Sequence, residues 1–489
     1  MSAPAGWEVS DRNEISRPFD LLEEWFHRIV GGGNLTRERD SFGSNYVAKL
    51  KFPSSVTDPT PYVRRAWLLT RYLHPQLGAT YSSDSLEDMK YTIRPLDPEH
   101  WLKTTFFVEQ GPSATYKSAE DAVGKYPTKP TITGHWIPAT SELLMRASHL
   151  QIEGIGFSQL THSLVTSLTS VMRLGLNVDI NSYPSNVKVP TPSPGVGIGA
   201  KTMSYEESPA YIKKGVDKFI NQLRQGLPGI ALPMRAGAET SAPTDTRRLV
   251  FKLDETLSAD VRKACLKHKI SVAAAIHTAL VRVTASYPQD SPSKDLLIVL
   301  TANMRKFLFG SDPRPELAVG LYSTAVSYCI PDGLNPEISF VDLARKVGAK
   351  YATDLSDVVK DDEGKPVSFL TMLGAWIDRY TQVVSGLSFG SPMFRSPAVS
   401  SLGLMEKFVQ RKYSFGENES EQVEVEDLWW SVDVVDQGAY FHISTFRDKI
   451  RLQVCFNQSY YTEEFVSEVI QRIMDEVVQG LGIKSQAKL

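Results

Sequence analysis

The sequence predicts a mixed α/β (α+β) protein built from at least two lobes. Its 489 residues exceed the ~100 to 200 that one core ordinarily uses. Alternating, strand-like runs and runs of helical period follow one another along most of the chain, and two stretches rich in proline and glycine interrupt them, at 181–200 and 226–243. These observations divide the chain into an N-terminal lobe over 1–180, a crossover over 181–245 and a C-terminal lobe over 246–489.

In the first lobe, PYVRRAWLLTRYLHP at 61–75 places Val63, Trp67, Thr70 and Leu73 on one helical face and stops at a proline. Residues 142–149, ELLMRASH, alternate, with Leu143, Met145 and Ala147 facing one way and Leu144, Arg146 and Ser148 the other, so a strand ends at His149. Beyond Gly154 and Gly156, Phe157, Leu160, Leu164, Leu168 and Val171 recur at helical spacing. His149 therefore sits at a strand-to-helix junction. The prolines at 184, 190, 192 and 194 make the next stretch a poor helix or central strand.

In the C-terminal lobe, RRLVFKL alternates as a strand, Ser258 is expected to cap a helix running through Lys267, and Ser271 to cap another through Val283. Strand-like runs recur at 294–302, 318–330, 438–446 and 450–456. A helix from Thr462 to about Gly480 closes the chain, with Glu463 and Glu464 suited to its positive N-terminal end.

Composition narrows the function. With 42% hydrophobic and 22% charged residues the chain falls among ordinary globular proteins. Lys and Arg number 53 against 56 Asp and Glu, leaving a formal charge of −3 and no basic block, which argues against nucleic acid as a partner. The N-terminus lacks the pattern of a secretory signal, and no run reaches the ~18 apolar residues of a membrane span. The expectation is a cytoplasmic monomer without a membrane anchor. Cys265, Cys329 and Cys455 are too widely spaced for a disulfide framework or a zinc site and are expected in the core, and no metal site is foreseen. The glycines at 195, 197 and 199 follow prolines, not a strand, so they make no dinucleotide loop.

Four stretches, in order, resemble the CoA-dependent acyltransferase superfamily with the chloramphenicol-acetyltransferase-like fold: RASHLQIEG at 146–154, LSADVRKACLKHKISVAAAIHTAL at 257–280, ANMRKFL at 302–308 and SSLGLMEKF at 400–408. The ending IRLQVCFNQSYYTEEFV is similar to the penultimate strand and last helix of these enzymes. The resemblance spans most of the chain and is greatest to fungal secondary-metabolite acyltransferases of the trichothecene 15-O-acetyltransferase type. It implies two lobes, each a mixed sheet flanked by helices, with the active site in a channel between them.

It also implies a chemistry. His149 would be the general base of an HxxxD-type motif, activating an acceptor alcohol toward acyl-CoA in a ternary complex without an acyl-enzyme. Imidazole suits this because its ordinary pKa of ~6.5 leaves the neutral base abundant near neutrality. The family's acid at the fourth position is usually Asp, structural and paired with an arginine. Here it is Glu153, with Arg305 as the candidate partner. Gly154, Ser400, Ser401 and the amides around Gly403 stand where substrate or oxyanion contacts are implied, and Ser401 replaces the family's usual Asn. The partners implied are acyl-CoA, as co-substrate, and an apolar alcohol.

Each of these residues has a plainer reading. A histidine at a strand end is more often a hydrogen-bonded structural residue, and Arg305 suits an ion pair better than a substrate contact. His162, on the polar side of its helix, is expected to be solvated, and Trp429 and Trp430 to be core. The two departures, Glu153 and Ser401, motivate a different class of function, the same scaffold recruited for a CoA-independent cyclisation or rearrangement. A third reading is a non-catalytic binding protein.

Overall fold

The computed structural model describes residues 7–31, 42–82, 89–125, 129, 131–177, 179–180, 193, 195, 202–290, 293–308, 318–387, 392–418 and 420–484. Of the crossover expected from residue 181, the stretch to 200 lies outside these residues except for Ser193 and Gly195. The described residues form two compact units of mixed α and β structure.

The first unit comprises residues 1–198, 304–323 and 405–433. Its main sheet has six strands in the order Lys412–Ser414, Gln422–Val432, Gly43–Lys51, Glu142–Ser148, Thr133–Ile137 and Phe106–Val108. All pairings are antiparallel except the last, between Phe106–Val108 and Thr133–Ile137. A smaller antiparallel sheet holds Glu8–Val9, Ile15–Pro18, Lys90–Ile93 and Ala79–Ser82. Six of the seven residues in Glu142–Ser148 are buried, so neither side of this strand faces solvent and its alternation does not separate an inner from an outer face. Leu144 packs with Val47, Tyr116 and Trp429 on one side. On the neighbouring strands, the Tyr46 ring lies parallel to Phe157 at 5.5 Å and to Trp430 at 6.4 Å. Trp429 and Trp430 are both core residues.

These segments correct the single cut expected between 181 and 245. Gln422–Val432 returns to the first unit because its partner is Gly43–Lys51, with register running from Glu424 opposite Lys51 to Val432 opposite Ser44. Backbone pairing thus outranks proximity in sequence.

The second unit comprises residues 199–303, 324–404 and 434–489. Its six-stranded sheet runs Ser323–Ile330, Leu296–Asn303, Ala398–Leu404, Ala439–Phe446, Lys449–Asn457 and Thr246–Lys252. Helices Glu255–His268, Val272–Ala285 and Glu463–Gly480 contribute Val261, Ile276, Ala279, Val469 and Ile473 to one apolar core with Phe441, Ile443, Leu452 and Val454 of the sheet. The three cysteines are buried and free.

Ser271 caps its helix as expected, accepting from the Ala274 amide, and Thr462 caps the last helix, accepting from the Phe465 amide. The first helix begins earlier than expected, at Glu255, because Asp254 accepts from the Leu257 amide at 2.7 Å. Ser258 instead lies inside the helix, buried, with its hydroxyl accepting from the Ile450 amide at 3.0 Å. Asp254→Ala should therefore cost about 1 kcal/mol in a denaturation experiment, and an unchanged midpoint would contradict the cap.

Candidate active site

Strand Glu142–Ser148 ends one residue before His149, and helix Gly154–Leu174 begins one residue after Glu153. Four residues, His149 to Ile152, thus turn the chain from the sheet to the helix before Glu153. The His149 ring stacks on Phe26 of helix Leu21–Gly31, with centroids 5.2 Å apart and planes 10° from parallel, and meets the edge of Phe42 at 6.2 Å. The residue is half-buried, yet its Nδ1 is sealed from solvent and has no hydrogen-bond partner among the described residues. Burial pushes the imidazole below its usual pKa, while the Glu153 charge pulls it partway back. A neutral imidazole is therefore the favoured form near neutrality.

Glu153 occupies the N-cap of helix Gly154–Leu174, where four backbone N–H groups lack helical partners. Its two carboxylate oxygens accept from the amides of Ile155 at 2.8 Å and Gly156 at 3.0 Å. The same carboxylate takes Nη1 of Arg305 at 2.5 Å, with both side chains almost fully buried. Arg305 then spends its remaining donors on three oxygens. Nε and Nη2 donate to the Ala318 carbonyl at 3.0 and 2.8 Å, Nη2 to Gly320 at 3.2 Å and Nε to the Gln159 side chain at 3.2 Å. Its guanidinium also lies over the Tyr322 ring at 5.0 Å. The extra methylene of Glu153 is thus accommodated by a carboxylate that faces its own helix and the arginine at once.

The residues brought together in the first unit are His149, Glu153, Gly154 and Arg305. Gly154 opens the helix, and its carbonyl accepts the Ser158 hydroxyl at 2.8 Å. Ser400, Ser401 and Gly403 lie in the second unit, on strand Ala398–Leu404. A register shift there falls between Ser401 and Gly403, and Gly403 takes φ +63°, a conformation natural to glycine. The Gly403 amide donates to the Ser401 Oγ at 3.3 Å. That amide is spent within the bulge, while the Ser401 hydroxyl keeps its proton free to donate. His162 differs from its expected solvation: its Nδ1 is 2.9 Å from the Tyr413 hydroxyl.

Sequence reasoning missed the residues around this loop. Phe26 and Phe42 come from segments more than 100 positions away from His149, with no local signal linking them to it. Gly156 was only a helix-flanking glycine in the sequence, yet a Cβ there would stand 2.6 Å from the Gly320 carbonyl oxygen and 2.8 Å from Ile152. No group of His, Cys, Asp and Glu side chains among the described residues is arranged to hold a metal ion, and no helix among them is long and apolar enough to cross a membrane.

The strand, histidine loop and helix, the buried acid–arginine bridge and the two mixed sheets give the chain the fold of the CoA-dependent acyltransferases. Trichothecene 15-O-acetyltransferase TRI3 from Fusarium sporotrichioides shares the fold with a TM-score of 0.74 at 16% identity, over 98% of this chain and 100% of that one. Acetyltransferase pigO of Monascus ruber is 20% identical, with 98% of each chain covered. No protein-family model matches. The particular family is that of the loline biosynthesis cluster 1 transcription factor lolU1 of Epichloe uncinata, to which the chain belongs at 35% identity over 98% of its length and 97% of that protein's. A stretch of 145 residues, 30% of this chain, is 77% identical to the satratoxin biosynthesis SC2 cluster transcription factor SAT15 of Stachybotrys chartarum and covers 95% of it.

Two measurements check this geometry. Followed by NMR, the His149 ring should titrate below ~6.5, and Glu153→Gln, which removes the upward pull of the charge, should lower the midpoint further. A midpoint above ~6.5 in the unaltered protein would contradict the burial. Gly156→Ala should push the 318–320 backbone off Arg305 and cost about 1 to 3 kcal/mol, read from the unfolding midpoint.

Proposed function

We propose that the chain is an O-acyltransferase of secondary metabolism that moves an acetyl or other short acyl group from acyl-CoA to a hydroxyl of an apolar metabolite, with His149 as general base. The observation that supports this reading is the setting of His149: its ring stacks on Phe26 and its Nδ1 is sealed, on a loop braced by Glu153 and Arg305, and burial favours the neutral form. Nε2 is then the ring nitrogen left to take a proton. In the reaction, Nε2 accepts the hydroxyl proton as the alcohol oxygen bonds to the thioester carbonyl carbon. The carbon–sulfur bond then breaks and the proton passes to the departing CoA sulfur, giving ester and free thiol. Glu153 and Arg305 act through position alone, since each is committed to backbone and to the other. The names borne by trichothecene 15-O-acetyltransferase and pigO favour the same chemistry, and a cytoplasmic monomer remains the expected state.

A second reading rests on the names of lolU1 and SAT15: a non-catalytic regulator of a biosynthetic cluster. The net charge of −3 weighs against direct binding to DNA. A regulator of this composition would work through another protein or a small ligand.

One experiment separates the readings. With acyl-CoA and a panel of apolar alcohols, the purified protein should release free thiol, and His149→Ala should slow release by ~10²- to 10⁴-fold. Because burial depresses the imidazole, the rate should hold to lower pH than a free histidine would allow. Product formed without thiol release would favour cyclisation, and no His149-dependent reaction together with an unchanged metabolite profile in a His149→Ala strain would favour the regulator.

A further inference from the structure

A histidine that takes a proton at one ring nitrogen is ordinarily oriented, and its charge answered, by an acceptor at the other. His149 has no such acceptor: its Nδ1 is sealed from solvent without a hydrogen-bond partner among the described residues. Two aromatic rings face it instead. The Phe26 ring lies 10° from parallel with centroids 5.2 Å apart, and the Phe42 ring crosses at 73° with centroids 6.2 Å apart. The Glu153 carboxylate acts on the imidazole by charge alone, since its oxygens are committed to two amides and Arg305.

Both rings are held from outside the histidine loop. Phe26 lies one turn beyond Glu23 on helix Leu21–Gly31, whose start is fixed twice. The Asp20 carboxylate accepts from the Leu22 and Glu23 amides at 2.9 and 3.1 Å, and Glu23 in return accepts from the Asp20 amide at 2.9 Å. Glu23 also grips Arg17 of strand Ile15–Pro18 with both oxygens, at 2.6 and 2.7 Å. Leu22 and Trp25 are buried, which resists rotation of the helix about its axis. Phe42 adopts φ +63°, a left-handed conformation that a bulky residue rarely takes. Its amide donates to the Asp433 carbonyl at 2.7 Å, and its carbonyl accepts the Ser44 hydroxyl at 3.1 Å. Backbone strain of this kind persists where the surroundings impose it, and it collects at functional sites. Here it keeps a ring against the imidazole.

We propose that Phe26 is a positioning residue for His149: its face fixes the plane of the imidazole and stabilises the positive charge the ring gains on taking a proton, in place of the acceptor that Nδ1 lacks. A cation within ~6 Å of an aromatic centroid is drawn to the electron-rich face, and more strongly where water is excluded. The resting ring is neutral, so this attraction grows only as the proton arrives, which is where it lowers a barrier. Phe42 supplies the second wall. The consequence for rate rests on the acyltransferase reading, whereas the contact between the rings does not.

The test titrates the His149 ring by NMR in the full chain, assigned with His149→Gln, alongside Phe26→Leu, Phe26→Met and Phe26→Tyr. In the unaltered protein the stack should displace the His149 ring protons upfield. Phe26→Leu and Phe26→Met keep an apolar cover but lose the aromatic face, so the proton affinity of His149 should fall by ~2- to 5-fold, while Phe26→Tyr should hold it within about 2-fold. A side chain that only packed there would give the opposite sign, because a looser site admits water and raises the affinity. In the thiol-release assay, Phe26→Leu should lower kcat by ~3- to 30-fold with the KM for acyl-CoA unchanged, and Phe26→Tyr should restore it. An affinity that rises or stands still in Phe26→Leu and Phe26→Met, an equal loss in Phe26→Tyr, or ring protons without upfield displacement would each overturn the proposal. If Phe26→Leu fails to fold, Phe26→Met decides. Absence of thiol release from the unaltered protein would sink the acyltransferase reading alone, since the titration reads the stack without catalysis.

Discussion

The buried pairing of Glu153 with Arg305 ties together three pieces of the first unit. A buried carboxylate and a buried guanidinium each lose several kcal/mol of hydration, and the pair persists because almost every lone pair and N–H around it is used. Two amides of the helix start, two backbone carbonyls and the Gln159 side chain complete the set. The bridge therefore sews three pieces of chain, the 149–153 loop, the helix behind it and the 318–320 segment, into one unit whose parts cannot move separately. His149 gains its place from a network it does not itself join.

Residue identity follows from this arrangement. Between Glu153 and Gly320 the backbones come close enough for the Glu153 amide to approach the Gly320 carbonyl at 3.4 Å, which leaves no room for a side chain at 156. Glu in place of Asp lengthens the reach of the cap without giving up either amide. An acid one methylene longer is a variation on the brace, because its oxygens still meet both the helix and the arginine.

Much of this was legible in the sequence, and the legible parts share a cause. Local patterns announce local structure. The alternation of 142–148, the helical stripe from Phe157 and the cap at Ser271 each depend on neighbours a few residues away, and the motif order was enough to connect Glu153 with Arg305. The elements missed depend on distant partners. Ser258 looked like a cap because serine often is one, but its hydroxyl had a buried amide, Ile450, to satisfy. His162 meets Tyr413 from a strand some 250 positions on, and Phe26 reaches His149 across a similar kind of gap. The single cut between lobes failed for the same reason, since no periodicity within Gln422–Val432 reveals that its partner is Gly43–Lys51.

That strand pairing also has a bearing on how the protein is made. During synthesis, Gly43–Lys51 gains one neighbour once Glu142–Ser148 has been made, while some 370 residues separate it from the other. Until then the central strand is an edge, rich in buried-type residues such as Tyr46, Val47 and Leu50, and open to pairing with another nascent chain. Any fragment that stops before residue 432 keeps that edge permanently. The order of the strands thus requires the chain as far as Val432, rather than its N-terminal portion alone, before the first sheet can close.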